Sequence, residues 1–96
     1  MIPVDEYVFD VLLRDLVGHD RAPSAFLVYL HLWGASKGLA DARVPASLQQ
    51  IAESTGLSKS AVQSGLRILV RRKLLKADKQ TVTSIPEYRV LRPWRR

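Results

Sequence analysis

At 96 residues the chain has room for one small domain, and at 47% hydrophobic it can bury a single core. It contains no cysteine, which excludes a disulfide framework and any cysteine-based zinc site. Net charge is +6, and it is unevenly placed. Residues 1–47 carry four basic residues (Arg14, Arg21, Lys37, Arg43) and six acidic ones (Asp5, Glu6, Asp10, Asp15, Asp20, Asp41), a balance of −2. Residues 48–96 carry eleven basic residues against Glu53, Asp78 and Glu87, a balance of +8. A positive charge confined to one half of a small domain points to a polyanionic partner. No apolar run reaches the roughly 18–20 residues that a membrane span requires. Asp5 and Glu6 stand where a secretory signal would carry Lys or Arg, so a cytoplasmic protein is expected.

The first helix is predicted over residues 5–17. Val4, Val8, Val11, Leu12 and Leu16 recur at helical spacing, Pro3 and two acids suit the start, and Gly18 suits the end. A second helix follows Pro23 and Ser24. It is apolar nearly all round from Ala25 to Trp33, which predicts the most buried element. Residues 39–46 read as a loop with a short extended segment around Arg43 and Val44, since the residue before Pro45 is pushed towards β.

Ser47 is an N-cap for a third helix over residues 48–55, and Gln50 completes a capping box. Gly56 ends that helix and Ser58 caps a fourth, from Lys59 to about Lys73, with Val62, Leu66, Leu69 and Val70 facing inward. Gly65 lies inside this helix at a cost of about 1 kcal/mol against Ala, which predicts a close approach by another helix. Two extended runs, 74–77 and 86–91, flank a polar stretch and predict a β-hairpin. Pro93 and Arg95-Arg96 are expected to fray.

Residues 47–67 carry the informative pattern. Two helices crossing steeply over a short turn need a small residue on the first (Ala52) and a residue tolerant of positive φ at the turn (Gly56). They also need an apolar plug (Leu57) and apolar anchors on the second helix (Val62, Leu66). All are present. The second helix then shows Lys59, Ser60, Gln63 and Ser64 on the surface that a helix in the major groove would present to bases.

Residues 47–91 resemble the winged helix-turn-helix domains of bacterial transcription regulators and the N-terminal domains of some plasmid replication initiators. The resemblance rests on Ser47-Leu48, Ile51-Ala52 and Gly56-Leu57-Ser58, then Val62, Leu66 and Leu69, then Arg72-Lys73-Leu74-Leu75 and a hairpin returning through Tyr88-Arg89-Val90. The chain departs from that pattern in having Gly65 where Ala is usual, Ser60 and Ser64 where bulkier basic residues are common, and Lys73 where Gly often precedes the wing.

The resemblance implies a mainly α fold with a small β-hairpin: N-terminal helices and loop over 1–46, helix-turn-helix over 47–73, wing over 74–92. It implies duplex DNA as partner. Ser47 and Ser58 would meet phosphates. Lys59, Ser60, Gln63, Ser64 and Arg67 would face the major groove, with Gln63 suited to adenine and Arg67 to guanine or phosphate. Arg71 and Arg72 would lie nearer the helix end, and Lys79, Gln80 and Thr81 at the wing tip. Arg71, Arg72 and Lys73 equally suit the negative end of the helix dipole. A winged helix can also act as a protein-interaction module without DNA contact.

No catalytic set appears, so no enzymatic activity is expected, and neither a cofactor nor a metal is called for. His31 sits in an apolar helix and reads as a core or interface residue. Trp33 and Trp94 read as packing residues rather than base-stacking platforms. One recognition helix reads few base pairs, so a homodimer on a palindrome is expected, joined through the apolar residues of 4–33.

Overall fold

The computed structural model describes residues 1–39, 41–79, 81 and 84–95. The chain begins with a helix of unusually wide turns. Its two π-helical stretches, Val8–Leu12 and Arg14–His19, are closed by bonds five residues long, such as Asp20 N–H to Asp15 O at 2.7 Å. Val8, Leu12 and Leu16 are buried as expected, whereas Val4 and Val11 are only half-buried. Gly18 does not end this helix, which runs through it to His19. The reversal is made instead at Arg21, at a left-handed φ of 52°.

Helix α1 (Pro23–Ala35) opens on Pro at its first position and buries Ala25, Phe26, Val28, Tyr29, Leu32 and Trp33. Tyr29 donates its hydroxyl to Leu91 O at 2.9 Å, and burial pushes its phenol well above the ordinary tyrosine range, so it remains a donor. Helix α2 (Leu48–Thr55) starts on the predicted capping box. Gln50 N–H donates to Ser47 Oγ at 3.1 Å, and Ser47 N–H donates to Gln50 Oε1 at 2.8 Å. It ends at Gly56, φ 81°, whose N–H returns to Ala52 O.

Helix α3 (Lys59–Arg71) is capped by Ser58, which accepts from Ala61 N–H at 3.1 Å. It stops in a Schellman arrangement. Leu74 N–H reaches Leu69 O, Lys73 N–H reaches Val70 O, and Lys73 takes the left-handed conformation at φ 58°. A lysine thus occupies the backbone position that more often needs Gly, and buried Leu74 supplies the apolar contact beyond it. Val62, Leu66 and Leu69 face the core, but Val70 is 43% exposed. One residue is about 100° of helix, and that step turns Val70 from the Leu69 side onto the face of Gln63.

A three-stranded antiparallel sheet completes the fold, in the order β1 (Val44–Pro45), β3 (Glu87–Val90), β2 (Leu75–Asp78). Pro45 lies on an edge strand, where its missing donor costs no ladder bond. Leu75, Tyr88 and Val90 are buried, so one sheet face closes the core and the other is turned outward.

Gly65 packs where predicted. A Cβ on it would lie 3.2 Å from the backbone of Ala25 and 3.3 Å from that of Ser24, so α3 crosses the start of α1 at near backbone contact. The chain end corrects the expectation of fraying for residues 93–95. Trp94 stacks on Tyr7 at 4.5 Å between centroids and lies parallel to Trp33 at 6.5 Å. Its Nε1 donates to Asp5 Oδ2 at 2.8 Å, Arg95 pairs with the same carboxylate, and Trp33 Nε1 donates to Pro3 O at 2.9 Å. Arg96 lies outside the described residues.

Candidate nucleic-acid interface

The charge division of the sequence is redistributed by folding. Arg72 does not join Arg71 on the outward face as the resemblance implied: it donates to Asp20 at 2.6 Å and lies 3.6 Å from Asp15, so folding commits it to an internal ion pair. Arg95 holds Asp5, and buried Arg92 lies 4.2 Å above the Trp33 ring. Three basic residues of the second half therefore serve the acidic first half. The bond from Arg95 holds the Asp5 carboxyl below the usual aspartate range. The hydrogen bond with His19, with Arg72 beside it, does the same for Asp20.

Lys59, Arg67, Arg71, Lys73, Lys76, Lys79 and Arg89 remain. Among the described residues none of them has a carboxylate within ion-pair distance. All lie on α3, on the turn after it, or on the wing. Removing the engaged arginines from the count makes the positive surface smaller than the sequence implies and more sharply placed.

On α3 the outward arc holds Lys59, Ser60, Gln63, Ser64, Arg67 and Arg71, every one exposed and without a hydrogen-bond partner among the described residues. They share an arc because successive residues advance about 100°, which leaves Val62, Gly65, Leu66 and Leu69 for the core. Short serines between longer donors leave the backbone of this helix open to close approach. Ser47 and Ser58 stand at the two cap positions. Each uses its oxygen as the cap acceptor, which leaves the O–H available to donate to a phosphate. Ser58 is exposed and Ser47 half-buried.

At the wing, Lys79 and Thr81 are exposed. The Thr81 N–H donates to Ser84 Oγ at 3.2 Å and the two hydroxyls lie 2.6 Å apart. Gln80 lies outside the described residues. Lys73, Lys76 and Arg89 were not among the contacts implied by resemblance. Only the strand register, which pairs Lys76 with Arg89, brings the last two together. Among the described residues no group of three or more metal-ligating side chains occurs, and no helix is long and apolar enough to cross a membrane.

Capped α2, a left-handed glycine turn, α3 with an open polar face and a three-stranded wing define a winged helix-turn-helix module. A family model described as a helix-turn-helix domain matches residues 22–75, and the chain belongs to that family. No curated protein and no solved structure matches the chain.

Proposed function

We propose that this chain is a bacterial transcription regulator that binds duplex DNA sequence-specifically, with α3 in the major groove and the wing on the flanking backbone. The observation that supports this reading is the outward arc of α3. It gathers one lysine, two arginines, a glutamine and two serines with no intramolecular partner among the described residues, beside a wing whose cations are likewise unpartnered. Groups that hold no partner within the protein keep their full hydrogen-bonding capacity for base edges and phosphates. Residues 1–96 act as one domain without chemistry of their own, in the compartment that holds the DNA.

The chain acts as a homodimer through its N-terminal helix. Phe26, Tyr29 and Trp33 are buried in the chain's own core, so they are withdrawn from that contact. Phe9, Leu13 and Val17 recur every fourth residue and are 50%, 40% and 38% exposed, an apolar stripe on the half of the chain whose acids disfavour DNA. Two copies on a palindrome double the sequence that one recognition helix reads.

Selection from a random duplex pool, followed by titration of the enriched sequence, tests the reading. The intact chain should prefer that sequence over unrelated DNA, and replacing Lys59, Gln63 and Arg67 together with Ala should abolish the preference. Equal affinity of parent and variant for all sequences would refute it. Sedimentation equilibrium, with and without the selected duplex, tests the dimer, and a monomer in both conditions removes that part.

A further inference from the structure

The outward face of the wing carries two rows of charge, and they are handled in opposite ways. Asp78 on β2 lies directly opposite Glu87 on β3. Two like charges at a cross-strand pair repel, and here the repulsion is relieved by a third chain segment. Arg43, immediately before β1, places its guanidinium 3.9 Å from Asp78 and 3.6 Å from Glu87.

The neighbouring row on the same face pairs Lys76 with Arg89, also directly opposite. Side chains alternate faces along a strand, so Lys76, Asp78, Glu87 and Arg89 all point outward while Leu75, Tyr88 and Val90 point into the core. Lys76 and Arg89 are each two residues from an acid on their own strand, yet neither lies within ion-pair distance of a carboxylate among the described residues. The Arg89 Nε is moreover buried without a hydrogen-bond partner. The wing acids are thus satisfied by Arg43, from outside the hairpin, while Lys76 and Arg89 are left facing each other.

We propose that Lys76 and Arg89 form a phosphate-binding point on the outer face of the wing sheet, where one backbone phosphate of the duplex screens the two like charges. This proposal rests on the duplex-binding reading above and extends it to residues that the wing tip and α3 do not include. An anion between the pair removes the cross-strand repulsion and offers acceptor oxygens to both cations. Strand β2 begins shortly after α3 ends, and exposed Lys73 lies on the turn between them.

The test is a Lys76→Gln/Arg89→Gln double variant of the intact chain, titrated with the selected duplex and with an unrelated duplex over a series of salt concentrations. Binding to both duplexes should weaken by a similar factor, and the log–log salt slope should become shallower by about 1 to 2. The thermal midpoint should stay the same or rise, because a repulsive pair has been removed; a merely structural pair would lower it. An unchanged affinity and slope, in an assay where the Lys59/Gln63/Arg67 alanine variant does lose binding, overturns this proposal alone. A parent chain that binds neither duplex overturns the duplex reading and the proposal with it.

Discussion

The two ends of the molecule treat their polar groups in opposite ways. Where the chain termini meet over the end of α1, most polar groups are engaged. Asp5 receives Arg95 and the Trp94 indole, Trp33 reaches Pro3, and Arg92 lies on the Trp33 ring. On the outward arc of α3 none is engaged among the described residues. Both regions are rich in arginine, so composition does not separate them. Geometry does: a cation that folding pairs with a carboxylate stabilises the domain, and one that folding leaves unpartnered remains available to a ligand. The contrast implies that stability and binding can be altered separately.

The sharpest way to break this contrast is at Trp33, which is buried and bridges the core to the clasped ends. Trp33→Ala should cost about 3–5 kcal/mol in a denaturant melt. A loss much below that would mean that the clasp is not coupled to the core. Next in size is Gly65, where any Cβ meets the backbone of Ala25 rather than a side chain that could move. Gly65→Leu should destabilise by about 1–3 kcal/mol despite the gain in helix propensity. The same melt showing parental stability would contradict the close crossing of α3 and α1.

Acid should act on the engaged region first. The carboxyls of Asp5 and Asp20 titrate below their ordinary value in the folded state. The stability they contribute is therefore fully present above the unfolded value of about 3.9 and is lost as pH falls towards the lower folded values. The thermal midpoint of the parent should drop below about pH 4, and Asp5→Asn should lessen that drop while lowering the midpoint at neutral pH. An identical pH profile for parent and variant would remove Asp5 from the account.

The smallest effect on stability belongs to the outward arc of α3. Gln63→Ala and Arg67→Ala should each change the unfolding free energy by no more than about 0.5 kcal/mol, because no contact is lost. Each should still weaken duplex binding, and a variant that lost stability and binding together would erase the distinction between the two regions.

Much of the candidate interface was legible in residue order because it depends on local rules. The capping box at Ser47 and Gln50, the cap at Ser58 and the glycine turn at Gly56 all follow from groups within four residues of one another. Helical periodicity likewise placed Lys59, Ser60, Gln63, Ser64 and Arg67 on one arc. That periodicity erred at Val70, where adjacent apolar residues left the edge of the buried stripe ambiguous. It also could not show that the first helix would take π turns and pass through Gly18.

Interactions between distant residues were decided by tertiary structure alone. Arg72 meets Asp20 across 52 positions, and Trp94 meets Asp5 across 89. Residue order ranks Arg71 and Arg72 alike, but a step of about 100° around the helix turns one outward and brings the other to an aspartate. The pairing of Lys76 with Arg89 likewise required the strand register, which the length and course of the hairpin set and no local pattern encodes. The sequence by itself determined the caps, the turn and the polar arc, because these are short-range consequences of residue type. Which cations became part of the structure and which remained for a partner was settled only when packing brought carboxylates to some of them and not to others.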